Sequence, residues 1–309
     1  MKIGRPASMS LATPVLQLSI AALIGTLSGL SQAQSPGSVM LQRIEQQIPA
    51  VTPKMVAWRR DIHEHPELSG QEVRTAELVA AHLRKLGLEV KTNVGGTGVV
   101  AVLTGGLPGK TVALRADMDA LPVVEVTKLP FASKVKAINM GKEAGVMHAC
   151  GHDGHVAILM GVAEILTGMK AQIPGTVKFI FQPAEEGLGG GRVMVEEGLF
   201  KLFPCDAIFA LHNMPGMPEG QFGFRAGAFM PSSDTVNVTV RGKGGHGSAP
   251  HLSADPVVAA AHIIVALQTV VSRNVDPREM AVVSVGAIHG GEAPNVIPDA
   301  VTMRLTVRA

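Results

Sequence analysis

The segment 148–155, HACGHDGH, concentrates side chains that bind metal ions: five of its eight residues are histidine, cysteine or aspartate. A thiolate at Cys150 and an imidazole at His152, separated by one glycine, can bend around a single cation. The alternative is a loop of polar residues in which Asp153 caps the following helix. Because so many ligand types are close together, the segment favours a metal site.

A pair of adjacent carboxylates, Glu185 and Glu186, follows the apolar stretch 176–181. Neighbouring side chains on extended backbone point in opposite directions. One carboxylate can therefore bind a metal while the other faces a substrate as a base. The alternative is that both are solvated surface charges, and the pair alone does not decide between the two interpretations.

Two weaker signals lie at the ends of other predicted strands. Asp117 and Asp119 follow the stretch 111–115, and His212 follows the stretch 207–211. In open α/β sheets, ligands bind at the carboxyl edge of the strands, so these groups and the glutamate pair are expected at one edge. Mixed thiolate, imidazole and carboxylate ligands suit zinc or a similar divalent transition ion. The four candidate ligands Cys150, His152, Glu186 and His212 would supply a full set of ligands for one ion or part of the ligands for two. A pair of ions would favour hydrolysis.

Alternating helices and strands between residues 39 and 211 predict an α/β layer fold that positions these groups. Apolar residues recur at helical spacing in some segments, and short apolar runs bounded by turn residues indicate strands in others. The predicted helices are 39–48, 53–65, 71–86, 153–166 and 191–197, and the predicted strands are 98–103, 111–115, 176–181 and 207–211.

The pattern changes after residue 225, which predicts a second domain. Strict alternation over 233–241 indicates a half-exposed strand, and an apolar helix is predicted at 256–271. Strands are expected at 281–288 and 300–307. This β-α-β-β order opens a ferredoxin-like unit, which would still need one helix and one strand. We therefore expect domains at 34–225 and 226–309, the second incomplete and the sequence truncated.

The first 33 residues have the layout of a secretory signal peptide. Lys2 and Arg5 precede an apolar stretch over 11–30, and Ser-Gln-Ala at 31–33 offers a cleavage site. A membrane anchor is the alternative, since about 20 apolar residues can span a bilayer. Either way the remainder leaves the cytoplasm, and we expect a secreted or periplasmic protein that is free of the membrane after cleavage.

Composition excludes some classes of partner. The formal net charge of +2 is supplied by Lys2 and Arg5, because residues 1–33 contain no acidic side chain. The remainder has no net basic charge to attract nucleic acid. Aromatic residues are only 3% of the sequence, so stacking platforms for bases are not expected. Two cysteines provide no disulfide framework.

Seven segments together closely resemble the M20 metallopeptidases, and within them the amidohydrolase branch that includes hippurate hydrolases, indole-acetyl-amino-acid hydrolases and N-acyl-amino-acid amidohydrolases. They follow the family's order from about residue 40 to the last residue. The segments are WRRDIHEHPE at 58–67, LRADMDALP at 114–122, MHACGHDGH at 147–155, FQPAEEG at 181–187, ALHN at 210–213, GKGGHGSAP at 242–250 and PNVIP at 294–298.

The resemblance implies a zinc-peptidase-like catalytic domain, with helices on both faces of a mixed sheet, and an inserted ferredoxin-like lid or dimerisation domain. It implies a divalent metal, as two ions of zinc, manganese, cobalt or nickel. Glu185 would be the general base, and Asp119 would orient a neighbour in the metal site. The implied metal ligands are Cys150, His152, Glu186 and His212.

In the lid, the resemblance implies that His246 reaches the reacting carbonyl, from the same chain or from a partner subunit, and that Asn295 contacts the substrate. It also implies a homo-oligomer formed through the lid, and hydrolysis of the linear amide bond in N-acyl amino acids or small peptides. Family members carry a further metal-binding histidine near their C-terminus, beyond the segments matched here. The alternative function is an inactive fragment or a catalytically dead binding protein of the same fold.

Overall fold

The computed structural model describes residues 36–227 and 232–309, so the predicted signal peptide at 1–33 lies outside the described residues. The chain divides between Pro215 and Gly216 into two compact units. The boundary expected from the sequence lies ten residues further along. The intervening residues 216–225 form no helix or strand, so local sequence pattern offers no marker for the division itself.

The first unit is built on a five-stranded mixed sheet in the order β1-β2-β6-β3-β7. β2 is antiparallel to both of its neighbours, whereas β3 is parallel to both β6 and β7. The carboxyl ends of β3, β6 and β7 therefore meet at one edge, as the sequence predicts. β4 and β5 form a separate hairpin. The strands are β1 (Glu89–Val94), β2 (Gly98–Thr104), β3 (Leu107–Asp117), β4 (Lys136–Asn139), β5 (Lys142–Gly145), β6 (Pro174–Gln182) and β7 (Ala207–Ala210).

Helices cover both faces of this sheet because its central strands are apolar on both sides. Along β6, Phe179 and Phe181 face a core shared with the first three helices, while Ile180 faces a smaller core shared with the last two. Successive side chains along a strand point to opposite faces of the sheet, which produces this division. The prediction of helices on both faces of a mixed sheet is confirmed. The helices are α1 (Pro36–Glu64), α2 (Val73–Lys85), α3 (His152–Gly168), α4 (Gly190–Glu196) and the single turn α5 (Leu199–Leu202).

The expectation of two helices at 39–48 and 53–65 is wrong, because α1 continues through Pro49 and Pro53. Both prolines are exposed, so water can satisfy the carbonyls that they leave without a donor. The opposite face packs on α3, where a Cβ on Gly161 would lie 2.6 Å from Met55 Sδ. This packing outweighs the low helix propensity of proline.

The second unit pairs one helix with a three-stranded antiparallel sheet in the order β10-β12-β8. β8 and β10 are joined by α6 but are separated in the sheet by β12, which is the split βαβ arrangement expected from the sequence. A short ribbon pairs β9 with β11. The elements are β8 (Ser233–Arg241), β9 (Gly245–His246), α6 (Pro256–Asn274), β10 (Val282–His289), β11 (Val296–Ile297) and β12 (Ala300–Arg308).

Among the described residues, α6 alone is long and apolar enough to cross a membrane by length and composition. Its Ala260 is buried against Val301, Met303 and Leu305 of β12, with Ile264 packed beside them. This face of α6 packs on the sheet, whereas other apolar residues of the helix, among them Val257, Val258 and Val265, are exposed.

Candidate metal centre

The sheet register brings the predicted acidic and imidazole groups to one edge. Asp117 is the last residue of β3 and pairs with Gln182, the last residue of β6. Arg115 pairs with Ala210, the last residue of β7. The segments that follow these strand ends carry Asp119, Glu185, Glu186 and His212, so three separate stretches of sequence converge on the carboxyl edge.

The cysteine and the first histidine lie in the bend that leads into α3. Gly151, between them, has φ +85°, in the left-handed region that favours glycine. A Cβ at this position would lie 2.5 Å from the side-chain oxygen of Asn213. Glycine therefore allows the bend to approach the segment after β7, which places Cys150 Sγ 3.4 Å from His212 Nε2.

Two overlapping groups of side chains could each hold a cation. Cys150, His152 and Glu186 offer ligand atoms that all lie within 4.8 Å of one another. A second group, which also includes His152, consists of Asp117, His152, His155 and His212. The structure thus brings together all four ligands named from the sequence, and His152 belongs to both groups.

The hydrogen bonding of His152 fits a metal ligand. The residue is fully buried, its Nδ1 lies 3.3 Å from Asp119 Oδ1, and its Nε2 has no hydrogen-bond partner among the described residues. A buried polar atom without a partner is rare, and a bound ion is one explanation for it. Nε2 lies 3.7 Å from Asp117 Oδ2 and 3.9 Å from Glu186 Oε1, a spacing that leaves room for a cation between them.

The tautomers of His212 and His155 follow from their hydrogen-bond partners. His212 Nδ1 lies 2.7 Å from the Asn213 carbonyl oxygen, which can only accept, so Nδ1 carries the proton and the Nε2 lone pair remains for a metal. In His155 the Asn213 amide donates to Nε2 at 3.1 Å, and Nδ1 lies 2.6 Å from Asp117 Oδ1. Both nitrogens of His155 are engaged, so His155 supports the site and is a poor ligand.

Asp119 lies behind His152, as an orienting residue should. Its Oδ1 is 3.3 Å from His152 Nδ1. Its Oδ2 accepts from the Ser69 hydroxyl at 2.6 Å and from the Glu186 amide at 2.9 Å. Burial opposes ionisation, but the hydrogen bonds from His152, from Ser69 and from the backbone outweigh it and lower the pKa of Asp119. A charged Asp119 holds the proton on His152 Nδ1, which leaves Nε2 for a metal.

Asp117 is also held in its charged form. Burial alone would raise its pKa, but the hydrogen bond from His155 and the charge of Arg115 reverse that effect and lower it well below the usual range. Arg115 donates to Asp117 Oδ2 at 2.7 Å and to the Gln182 side chain at 2.9 Å. The site therefore keeps a buried negative charge that a cation can neutralise.

The surroundings of Cys150 favour its protonated form when no cation is present. Burial, followed by the hydrogen bond and negative charge of Glu186, raises the pKa of the thiol to about 12. A divalent cation would reverse this balance, because it stabilises a thiolate and nearby carboxylates together. Both cysteines are free thiols.

The two glutamates differ in exposure. Glu186 is half-buried beside Cys150 and His152, whereas Glu185 is exposed. Although the residue as a whole is exposed, partial burial of its carboxyl group, followed by the charges of Glu186 and Asp117, raises the pKa of Glu185. A raised pKa suits a carboxylate that accepts and returns protons near neutral pH.

A second network of buried side chains lies beside the bend that leads into α3. Asp153 Oδ2 lies 2.9 Å from His63 Nδ1 and accepts from Arg59 Nε at 3.1 Å. His63 Nε2 contacts Glu125 Oε1 at 3.3 Å. Asp153 thus joins α1 to the start of α3. His148 is buried near this network, with its ring 6.5 Å from that of His63, and belongs to neither group of ligands.

The lid residues named from the sequence lie together in the second unit. His246 pairs with Val296 in the β9–β11 ribbon, and the Gly247 amide donates to the Asn295 carbonyl at 2.8 Å. The Ser248 hydroxyl lies 2.8 Å from His246 Nδ1. Both His246 and Asn295 are exposed, so their side chains are accessible to a ligand.

Comparison with known proteins agrees with this geometry. Residues 113–301 match the family described as Peptidase family M20/M25/M40. The chain belongs to this family. It is 50% identical over 251 residues to a hippurate hydrolase of Campylobacter jejuni, covering 81% of this chain and 63% of the relative. It is 45% identical over 261 residues to an IAA-amino acid hydrolase of Arabidopsis thaliana, covering 84% and 57%. The chain thus spans less than two thirds of the length of these two M20 relatives.

A solved M20 structure extends the comparison to the fold. A dinuclear metal-binding peptidase of Bacillus subtilis superposes with a TM-score of 0.65 at 40% identity, covering 84% of this chain and 65% of that one. The expected membership of the M20 family, including the resemblance to its amidohydrolase members, is confirmed. The residues at the sheet edge suit divalent metal ions.

Several supporting residues were not identified from the sequence. The Ser69 side chain contacts Asp119, and the Arg115 side chain contacts Asp117. The backbone of Asn213 contacts both His212 and His155. Arg115 and Asn213 are adjacent to or two residues from a named candidate, so their position in the motifs was a usable signal. Ser69 lies 50 residues from Asp119 in the chain, and nothing in its local sequence indicates that contact.

Proposed function

We propose that this chain is the metal-dependent hydrolytic part of an M20 amidohydrolase that cleaves the amide bond of N-acyl amino acids or small peptides. The observation that carries the proposal is the pair of overlapping ligand groups around His152, with Glu185 beside them. Relatives named as a hippurate hydrolase and an IAA-amino acid hydrolase support the substrate class.

Bound divalent ions would polarise the substrate carbonyl and make an attacking water more acidic. Cys150, His152, Glu186 and His212 would hold two such ions, drawn from zinc, manganese, cobalt or nickel. Glu185 would take a proton from the attacking water and return it to the departing amine. Asp119 keeps His152 in the tautomer that leaves Nε2 free. His246 would donate to the developing oxyanion, and Asn295 would contact the substrate.

The direct test is hydrolysis of N-benzoylglycine, other N-acyl amino acids and dipeptides by purified protein. The protein is first treated with a chelator, and zinc, manganese, cobalt or nickel is then added back. Release of free amino acid only after metal is restored is the expected result. Protein that binds metal but cleaves none of these amides would contradict the proposed activity and favour a binding protein of the same fold.

We also propose that the protein is exported and that its second unit forms a homo-oligomer. The signal-like segment 1–33 supports export, and the expected check is N-terminal sequencing of protein from its native host, with the mature chain beginning near Gln34. An intact Met1 in the membrane fraction would contradict cleavage.

The proposed oligomer rests on the surface of the second unit. Val257, Val258 and Val265 on α6 are exposed, and exposed apolar patches favour association. Light scattering would detect the oligomer.

A further inference from the structure

The backbone immediately before the glutamate pair is in an unfavourable conformation. Ala184 has φ +52°, in the left-handed region where a Cβ is disfavoured. Residues that are held in such conformations need surrounding contacts to keep them there. Because Ala184 directly precedes Glu185, its conformation sets the direction in which both carboxylates leave β6.

Two hydrogen bonds hold Ala184 in place. Its amide donates to Glu72 Oε1 at 2.8 Å, and its carbonyl accepts from the Gly190 amide at 2.9 Å. The second contact requires glycine, because a Cβ on Gly190 would lie 1.9 Å from the Pro183 carbonyl oxygen. The first contact depends on a side chain that lies 112 residues away in sequence.

Glu72 is a fully buried carboxylate with neutral hydrogen-bond partners. Oε1 also accepts from the Gly70 amide at 2.8 Å, and Oε2 accepts from the Thr97 hydroxyl. Burying a carboxylate is costly unless its lone pairs are satisfied. Glu72 precedes α2 but makes no side-chain cap to that helix. The cap comes from Glu67, whose carboxylate accepts from the Arg74 and Thr75 amides at 2.9 Å.

The segment is fixed on both sides of Glu185. Glu72 holds the amide of Ala184, one residue before it, and Asp119 holds the amide of Glu186, one residue after it, at 2.9 Å. Two buried carboxylates from different parts of the chain therefore define the path of three consecutive residues. The side chain of Glu185 extends from the middle of this path.

We propose that Glu72 is a positioning residue for the metal centre, which places Glu185 and Glu186 by holding the backbone of Ala184. Glu72 acts through Ala184 and touches neither substrate nor metal. The role of Glu185 in this inference rests on the proposed function, whereas the placement of Glu186 can be tested without any hydrolysis.

The test compares Glu72→Ala and Glu72→Gln with Glu67→Ala in the 309-residue chain. Glu67→Ala is the matched control, since it removes a carboxylate from the same segment before α2, one that accepts from the Arg74 and Thr75 amides and not from residues 182–190. Two quantities are measured: amide hydrogen exchange of the peptide 182–190 in metal-free protein, and the dissociation constant for Zn²⁺ by competition with a chromophoric chelator. Thermal unfolding verifies that each variant is folded.

We expect Glu72→Ala to speed exchange in 182–190 by about tenfold or more and to weaken Zn²⁺ binding by about tenfold, as loss of a supporting contact does. Glu72→Gln should remain within about threefold of wild type, because its amide oxygen still accepts from Ala184. Glu67→Ala should lower the unfolding midpoint but leave both readouts near wild type. If Glu72→Ala does not fold, Glu72→Asp replaces it, since the shorter side chain withdraws from Ala184 but keeps its charge.

Three results would overturn the inference. Wild-type exchange and Zn²⁺ affinity in folded Glu72→Ala or Glu72→Asp would show that Ala184 does not need this contact. Equal losses in Glu67→Ala would show a general effect of loosening α2. A Glu72→Gln variant as impaired as Glu72→Ala would show that charge, not hydrogen bonding, is required. A failure of amide hydrolysis with these readouts intact would instead contradict the proposed function.

Discussion

Asp117 Oδ1 lies 2.6 Å from His155 Nδ1, and both side chains are buried beneath the candidate metal centre. Arg115 completes the contact by donating to the second carboxylate oxygen at 2.7 Å. The arrangement fixes a negative charge where a cation is expected. Its histidine, His155, has both ring nitrogens engaged by Asp117 and the Asn213 amide.

The first prediction concerns that buried charge. Asp117→Asn should lower the free energy of unfolding of the metal-free protein by about 3 kcal/mol at neutral pH, because the variant leaves His155 and Arg115 without their buried partner. Asp276→Asn is the matched control: Asp276 also bonds an arginine two residues away at 2.7 Å, but on the surface. Denaturant unfolding gives both values, and equal effects would contradict the argument.

The second prediction concerns metal content. Cys150→Ala or His152→Ala should reduce the number of metal ions per chain, because each removes a ligand atom from a group within 4.8 Å. Cys205→Ala is the control, since Cys205 packs beside the smaller core on the opposite face of the sheet. Elemental analysis after dialysis measures the stoichiometry. Unchanged metal content in both ligand variants would show that the site is wrongly assigned.

The third prediction separates the two glutamates. In protein that hydrolyses an N-acyl amino acid, Glu185→Gln should reduce kcat by roughly 10²–10⁴-fold, the usual size of general acid–base catalysis. Its metal content should stay near that of wild type, whereas Glu186→Gln should lose metal as well as activity. An active Glu185→Gln variant that has lost metal would mean that the two roles are reversed.

The fourth prediction is a pH dependence of stability. The hydrogen bond to Asp153 raises the pKa of His63 above its ordinary value, against the opposing effect of burial. Stability from a group with a raised folded pKa is fully present below the unfolded pKa and is lost as pH rises through the folded one. The stability advantage of wild type over His63→Gln should therefore be larger near pH 6 than near about pH 9.

Chemical denaturation at a series of pH values measures this difference. Phe131→Leu is the control, because Phe131 contacts the His63 ring with centroids 5.7 Å apart but carries no charge. Its effect should not vary with pH in the same way. A difference between wild type and His63→Gln that is constant with pH would contradict the assignment of a charged His63.

The fifth prediction concerns self-association of the 309-residue chain. Ile208, Phe209 and Leu211 at the β7 edge of the sheet are 46%, 59% and 46% exposed. Apolar side chains on an edge strand promote pairing between molecules. Phe209→Lys should shift the chain toward a smaller species in size-exclusion chromatography, whereas Phe224→Lys, at another exposed phenylalanine, should change it less. A monodisperse wild-type monomer would contradict this prediction.

Much of the architecture was predictable from the sequence, because local pattern specified it. Strand β8 has the predicted limits, 233–241, since strict alternation of apolar and polar residues marks a half-exposed strand, and its residues are exposed or half-buried. Cys150 and His152 were proposed because ligand types are dense in 148–155, and Glu186 and His212 because they follow strand ends. Neither inference needed information from distant parts of the chain.

The features that were missed depend on contacts between distant segments. Strand β1 was not predicted, and its alternation of exposed and half-buried residues is weak in the sequence. The continuation of α1 through two prolines depends on packing against α3. Ser69 and Glu72 contact the site across 50 and 112 residues, and such pairings are set by the sheet order and not by any local motif.

The position of His152 between the two ligand groups has a consequence for the order of metal loading. One imidazole lone pair can coordinate only one ion, and Asp119 occupies the Nδ1 side of His152. An ion beside Asp117 and an ion beside Glu186 would therefore compete for the single Nε2. A first ion bound there would take that nitrogen, and a second ion would bind through the remaining ligands. Calorimetric titration of metal-free protein should therefore resolve two steps of unequal affinity, with the weaker site responding first when metal becomes scarce.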